Sequence, residues 1–306
     1  MLNNLLGLKE TSADDITAIL DDAEKFKKEV LQKDIKKSDA LKGRSIITLF
    51  FENSTRTRVS FELASKYLGA AAANISAGGS SITKGESLID TIKTLEAMAA
   101  DVIIIRHSAS GAPHLVAKHT ESKIVNAGDG MNEHPTQALL DMMTIREKKG
   151  GIKGLKVAIV GDVKHSRVAR SNIYGLSKLG AEVAVAGPST LMPKGIEGLG
   201  VKAYYDVEKA IEGADVVMGL RIQLERQKKG LFPSVREYHK CFGVNKQRLR
   251  LAKPDAILMH PGPVNRGVEL SADIVDGEQS VINEQVTNGV CVRMAALNML
   301  AAGKRA

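Results

Sequence analysis

From Ile46 onward, short runs of β-branched or apolar residues alternate with longer stretches whose apolar positions recur at helical spacing. That alternation is the pattern of βαβ units and predicts a doubly wound α/β architecture. Ile46 to Phe50 reads as a strand. A helix follows from Val59 to Leu68, with Val59, Leu63 and Tyr67 sharing one apolar face. Leu88, Ile92, Leu95 and Ala99 mark the next helix, and Val102 to Ile105 the next strand. Asn74 to Gly85, rich in Gly and Ser, reads as a mobile loop.

Pro135 stands early in a run whose Leu139, Met142 and Met143 share a helical face, so a helix is predicted from near His134 to about Lys148. Gly150, Gly151 and Gly154 then break the pattern, and a second α/β series opens with the strand Val157 to Val160. The domain boundary is expected here, giving domains of 1–148 and 149–306. Val183 to Ala186, Val216 to Leu220 and Ala256 to Met259 read as further strands, and Val290 to Ala302 as a closing helix.

The 306 residues, 43% hydrophobic and 25% charged, suffice for two cores and exclude a disordered chain or a disulfide-stapled miniprotein. The two cysteines, Cys241 and Cys291, lie far apart, so neither a disulfide framework nor a zinc site is expected, and a reducing cytoplasm is the natural reading. No signal peptide is read at the start, and the apolar runs are far shorter than the roughly 18 residues of a membrane span. A net charge of +8 directs attention to acidic partners, either nucleic acid or a small phosphorylated or carboxylated metabolite. Aromatic residues at 4%, no Trp, and basic residues interspersed with acids disfavour nucleic acid.

Ser54-Thr55-Arg56-Thr57-Arg58 falls between a strand end and a helix start. Unpaired N–H groups and the positive end of the helix dipole, joined by hydroxyls and a guanidinium fork, make a site for a dianion such as phosphate. Spacing alone leaves open an ordinary N-cap with two solvated arginines. His134 and Gln137 lie on one helical turn and could hydrogen-bond a carbonyl and its NH2. Nothing internal favours His134 over His107 or His260. The segment Leu155 to Asp162 resembles the opening of a dinucleotide-binding unit. His165 and Ser166 occupy its turn, so Gly-x-Gly-x-x-Gly is absent and a dehydrogenase is disfavoured. Arg167 and Arg221 each follow a predicted strand, where open α/β sheets bind ligands, although surface ion pairs are the commoner fate of an Arg. The loop His260-Pro261-Gly262-Pro263-Val264-Asn265-Arg266-Gly267 could present carbonyls to an ammonium or amide group, or serve only as a turn. No cluster has the spacing of metal ligands.

Taken in order, these motifs resemble the aspartate/ornithine carbamoyltransferases. Phe50-Phe51-Glu52-Asn53-Ser54-Thr55-Arg56-Thr57-Arg58-Val59-Ser60-Phe61-Glu62 is similar to the family's carbamoyl-phosphate signature, and His134-Pro135-Thr136-Gln137-Ala138-Leu139 to its second one. Lys84-Gly85-Glu86-Ser87 and the 260–267 loop point to the branch that uses aspartate, the ornithine branch typically carrying Cys-Leu-Pro in that loop.

The resemblance implies two doubly wound parallel-sheet domains with the active site in the cleft between them, and a closing helix, about 290–306, packed back on the first. It implies transfer of a carbamoyl group from carbamoyl phosphate to L-aspartate, the committed step of pyrimidine synthesis, with ornithine as the alternative acceptor. By matching position, Ser54, Thr55, Arg56 and Thr57 would hold the phosphate, with Arg106, His134 and Gln137 on the carbamoyl group. Ser80 and Lys84 would enter from a neighbouring subunit of a homotrimer. Lys84, Arg167, Arg221 and Gln223 would bind the aspartate, the arginines and Gln223 at its carboxylates, while Gly262 and Pro263 line the same pocket and, with Ser80, meet the carbamoyl phosphate. Arg56, Thr57, Arg106, His134 and Lys84 form the implied catalytic set, without metal or cofactor. A regulatory chain or a dihydroorotase is a possible partner, and no membrane is implied.

Overall fold

The computed structural model describes residues 2–76, 85–222 and 234–302. The chain divides into two compact units, Met1–Met143 with Thr287–Ala306, and Thr144–Val286.

Ser12 opens the first helix, α1 (Ala13–Phe26), by accepting the Asp15 N–H at 3.0 Å, and Asp14 and Asp15 complement the positive end of the dipole. Its Ile16, Ile19, Leu20 and Ala23 are buried, and it runs into a π-helical turn at Lys27–Leu31. There follow β1 (Ser45–Phe50), α2 (Thr55–Tyr67), β2 (Ala71–Ser76), α3 (Leu88–Ala97), β3 (Val102–His107), α4 (Ala112–Val116), β4 (Lys123–Asp129) and α5 (Pro135–Lys149). The strands form a parallel sheet in the order β2-β1-β3-β4. Ile47 and Leu49 of β1 join Ile103 and Ile105 of β3 in a core with Ile92 and Leu95 of α3 and Val116 of α4. The opposite parity, Ile46, Val102 and Ile104, is equally buried, so both faces of the sheet are covered, as a parallel sheet requires. Leu5 pairs with Val125 and continues the sheet beyond β4.

The second unit contains β5 (Lys156–Val160), α6 (Arg167–Lys178), β6 (Glu182–Ala186), β7 (Lys202–Tyr204), α7 (Val207–Ile211), β8 (Val216–Gly219), α8 (Val235–Phe242), α9 (Lys246–Leu249), β9 (Ile257–Met259) and α10 (Ala272–Val275). Its five-stranded sheet is parallel throughout, in the order β7-β6-β5-β8-β9. Ala158, Val160, Ala184 and Val217 pack against Val207 and Ile211 of α7 and Leu249 of α9. The last helix, α11 (Ile282–Ala301), contributes its residues from Thr287 onward to the first unit.

The strands and helices read from periodicity are present, with four differences. The buried side of α2 carries Thr57, Phe61, Ala64 and Ser65, while Val59 is 43% exposed. Two apolar sets coexist on this helix, and the register is settled by Phe61, a larger surface to bury than Val59. Ala99 lies outside α3 with φ +62°, a reversal that brings Ala100 into the core in its place. Asn74 to Ser76, expected in a loop, are paired with β1 in β2, whose small, exposed residues carry no alternation to betray a strand. The closing helix begins at Ile282 rather than Val290. Residues 77–84 of the expected loop lie outside the described residues, and Gly85 beyond them is a turn residue with φ +93°.

Candidate active site

In open parallel sheets, ligand crevices form beyond the carboxyl ends of strands where the winding direction reverses. In the first sheet the chain runs from β1 to β2 and then returns to β3 on the other side of β1, so the reversal lies between β1 and β3. The residues there are the β1–α2 turn with Ser54, Thr55, Arg56 and Thr57, and Arg106 at the end of β3. Phe50 pairs with Arg106, and the Phe51 N–H donates to the Arg106 carbonyl at 2.8 Å.

Ser54 occupies the N-cap of α2 but caps no backbone N–H; its Oγ donates to Thr57 Oγ1 at 2.9 Å. At α1, α3, α6, α8 and α9 the N-cap side chain accepts a first-turn N–H. The first turn of α2 has no acidic residue and carries Arg56, so positive charge stands at the positive end of the dipole. Such an end is completed by an anion. Thr57 is buried, whereas Thr55 and Arg56 are exposed.

Arg106 is held from two sides: Nη1 donates to the Ala127 carbonyl at 3.0 Å, and Nε lies 3.6 Å from Glu52 Oε2. The β3–β4 register slips between Ile105 and His107, where Gly128 adopts φ +113°, and this irregularity turns the Ala127 carbonyl toward the guanidinium. Glu52 was visible in the sequence only as a letter of the motif; its place beside Arg106 depends on the β1–β3 pairing.

His134 ends the β4–α5 loop; its carbonyl accepts the N–H groups of Gln137 at 3.0 Å and Ala138 at 3.3 Å. The loop is fixed by two buried carboxylates absent from the sequence-derived set. Asp129 accepts from Gly111 N–H at 2.6 Å, Glu133 N–H at 3.0 Å, Asn126 Nδ2 at 2.8 Å and Asn132 Nδ2 at 3.0 Å. Glu133 accepts from Leu8 N–H at 2.7 Å and Lys9 N–H at 3.1 Å. Gln137 Nε2 donates to Asp141 Oδ1 at 3.0 Å. The histidines left undistinguished by sequence now differ. His107 packs on Phe51 at 4.7 Å, accepts the Ala109 N–H on Nδ1, and is held below its ordinary pKa chiefly by burial. His260 is tied to Glu269, whereas His134 is buried immediately before α5.

In the second sheet the reversal lies between β5 and β8. Arg167 opens α6 after β5, 4% exposed, and Arg221 follows β8, half-buried. The Leu220 N–H donates to the Val160 carbonyl at 2.8 Å and so joins the two strand ends. The 260–267 loop reaches the same place, because Asn265 Nδ2 donates to the Ile222 carbonyl at 3.1 Å. That loop is organised by Glu269, whose Oε1 accepts the Asn265 N–H at 2.7 Å and lies 3.1 Å from His260 Nε2. His260 Nδ1 in turn accepts the Gly262 N–H at 2.9 Å, and the Gly262–Pro263 peptide is cis. Gly262 and Pro263 thus belong to the second unit, with Arg167 and Arg221. Ser80, Lys84 and Gln223 lie outside the described residues. Among the described residues no three metal-binding side chains come together, and no helix is long and apolar enough to cross a membrane.

Residues 3–147 match the family model of the aspartate/ornithine carbamoyltransferase carbamoyl-phosphate-binding domain, and residues 153–300 that of the Asp/Orn-binding domain. The chain is 66% identical to the aspartate carbamoyltransferase catalytic subunit of Ruminiclostridium cellulolyticum, covering 97% of this chain and 95% of that protein. It is 65% identical, with the same coverage, to that of Acetivibrio thermocellus. Among solved structures, Trypanosoma cruzi aspartate transcarbamoylase with carbamoyl aspartate and phosphate superposes with a TM-score of 0.87 at 30% identity, over 97% of this chain and 95% of that one. Ornithine carbamoyltransferase from Pyrococcus furiosus superposes with a TM-score of 0.88 at 34% identity, over 99% and 98%. Two parallel sheets with arginines at the carboxyl ends of the strands where the winding reverses, and two matching family models over nearly the whole length, have one conclusion: the chain belongs to the aspartate/ornithine carbamoyltransferase family.

Proposed function

We propose that this enzyme transfers the carbamoyl group of carbamoyl phosphate to the amine of L-aspartate, giving N-carbamoyl-L-aspartate and phosphate in the committed step of pyrimidine synthesis. The fold does not select the acceptor, since aspartate and ornithine enzymes superpose on it equally well. The observation that carries the choice is 66% identity to an aspartate enzyme across 97% of the chain, against 34% to an ornithine enzyme.

In this reading the first turn of α2, with Ser54, Thr55, Arg56 and Thr57, receives the phosphate. The amine attacks the carbamoyl carbon and negative charge grows on its oxygen, where Arg106, His134 and Thr57 stabilise it. Arg106 suits that task because Glu52 and the Ala127 carbonyl already fix its plane, so little reorganisation accompanies the reaction. Phosphate leaves as an anion held by Arg56 and accepts the proton lost by the amine, so no covalent enzyme intermediate is required. Gln137 reads the carbamoyl NH2. Arg167, Arg221 and Gln223 take the aspartate carboxylates, with the Gly262-Pro263 backbone beside them. Residues 1–148 form the carbamoyl-phosphate domain and 149–306 the aspartate domain, the closing helix returning to the first. Ser80 and Lys84 come from a neighbouring subunit of a cytoplasmic homotrimer, to which regulatory chains or a dihydroorotase can bind.

The test is ureido-product formation from carbamoyl phosphate with L-aspartate, L-ornithine and other amino acids in parallel. Product with aspartate alone is expected. Product with ornithine alone would overturn the aspartate pocket, and no product with any acceptor would overturn the whole assignment.

A further inference from the structure

We propose that Asp141 is a positioning residue that sets the polarity of the Gln137 amide, leaving the Gln137 carbonyl as the acceptor that distinguishes a carbamoyl NH2 from a methyl group, with Arg293 as the countercharge of Asp141. The inference rests on the carbamoyl-phosphate reading of the first unit.

A primary amide has a donor end and an acceptor end of nearly the same shape, so an unconstrained Gln137 could present either to a ligand. Asp141, one turn further along α5, removes that freedom. A carboxylate only accepts hydrogen bonds, so the amide end meeting Asp141 Oδ1 at 3.0 Å is the NH2, whatever the ligand does. Oε1 is thereby left as the acceptor. A carbamoyl group offers an N–H to it, whereas an acetyl group of the same shape offers a methyl and strands the carbonyl without a donor.

The arrangement demands a charge on Asp141, which has no solvent-exposed surface. Burying an unpaired carboxylate is costly, and the compensation comes from α11. Arg293 is buried, stacks 4.9 Å over the Phe61 ring, and donates through Nη1 to Ser60 Oγ and to the Gly289 carbonyl, each at 2.9 Å. Burial lowers this guanidinium to about 10, and the charge of Asp141 acts in the opposite direction. The attraction is reciprocal, so Arg293 favours the anionic carboxylate. Ser60 and Phe61 belong to α2, the helix that opens with Ser54 to Thr57, so one buried cation links both helices that carry the ligand motifs.

The experiment measures binding to the purified full-length protein of phosphonoacetamide and acetonylphosphonate, stable ligands that differ only in NH2 against CH3, with inorganic phosphate as reference. The wild type is expected to prefer the amide about tenfold. Asp141→Asn, free to accept or donate, is expected to bring that preference close to parity while phosphate binds as before, and Asp141→Glu to restore most of it. Asp141→Ser, which removes the charge and leaves room for water, serves in the same way if the asparagine variant does not fold. An undiminished preference in a folded Asp141→Asn or Asp141→Ser protein would overturn the proposal, as would equal loss of phosphate binding, which would mark a purely structural role. A wild type that binds none of the three ligands would overturn the phosphate-site reading itself.

Discussion

Arg56 concentrates the electrostatics of the first unit. It stands at a helix start with no acidic residue in the first turn, so its charge adds to the positive end of the dipole. In the proposed mechanism it donates to the leaving phosphate, where charge develops, and on that reading Arg56→Ala is expected to lower kcat by about 100-fold or more. Steady-state assay of the purified variant checks this, and a rate near wild type would remove Arg56 from the mechanism. Tyr238 carries a different electrostatic load. It is 1% exposed, and burial, then the charges of Glu269 and Asp162, push its phenol far above the ordinary value. The folded state therefore keeps its proton where the unfolded chain gives it up. The stability from this group is fully present below about pH 10, the unfolded value, and is lost as pH rises through the alkaline range. Denaturant unfolding of wild type and Tyr238→Phe above pH 10 is expected to show the wild type losing stability faster, by up to about 1.4 kcal/mol per pH unit. Parallel slopes would mean that Tyr238 ionises as freely in the folded protein as in the unfolded one.

At the scale of elements, strand ends need backbone contact that side chains would obstruct. A Cβ on Gly187, just past β6, would overlap the Gly161 carbonyl, and Gly161 itself adopts φ +136° against Leu220. The ends of β5, β6 and β8 thus meet closely at Gly161, Gly187 and Leu220, the residue before Arg221. Gly187→Ala is expected to cost about 1–3 kcal/mol, as overpacking does, and to raise KM for aspartate. Thermal melting with kinetics on the same preparation tests both; an unchanged Tm would show that the strand ends yield without cost. How far elements were legible follows from their chemistry. β3 and β5 announce themselves through continuous apolar runs, and β1 through one interrupted by the buried Thr48, because a parallel strand buried on both faces has no solvent-facing side. The register of α2 did not, since Val59 and Phe61 offer competing faces and the choice is made by what the sheet receives. β2 was hidden because Ala71 to Asn74 are small or polar and exposed, leaving Ile75 as its one large apolar residue, and pairing with β1 makes them a strand.

For the whole molecule, the proposed trimer makes Lys84 of one subunit serve the Arg56 of another. Subunits of Lys84→Gln and Arg56→Ala, each inactive alone, are expected to regain part of the activity when dissociated, mixed and reassembled, because some hybrid sites then contain both native residues. Hybrids that reassemble yet stay inactive would exclude sites shared in this way. The measurement is independent of the acceptor assay, which concerns chemistry rather than assembly.

What the sequence determined by itself was the kind of element at most places, β2 excepted, and the chemical types available there. Apolar periodicity follows from which faces must leave water, and a hydroxyl- and arginine-rich helix start offers the groups an anion needs, though spacing alone left an ordinary N-cap open. These properties lie within a few residues of one another and need no fold to be read. Tertiary structure decided which distant residues meet. Glu52 reaches Arg106 through the pairing of β1 with β3, Glu133 holds the N-terminal segment at Leu8 and Lys9, and Arg293 arrives from the far end of the chain to face α2. It also gave different neighbours to His134, His107 and His260, three histidines of equal standing in the sequence. The physical reason is that a buried charge is tolerated only beside its partner, and for these residues the partner is brought by the winding of the sheet, not by proximity along the chain.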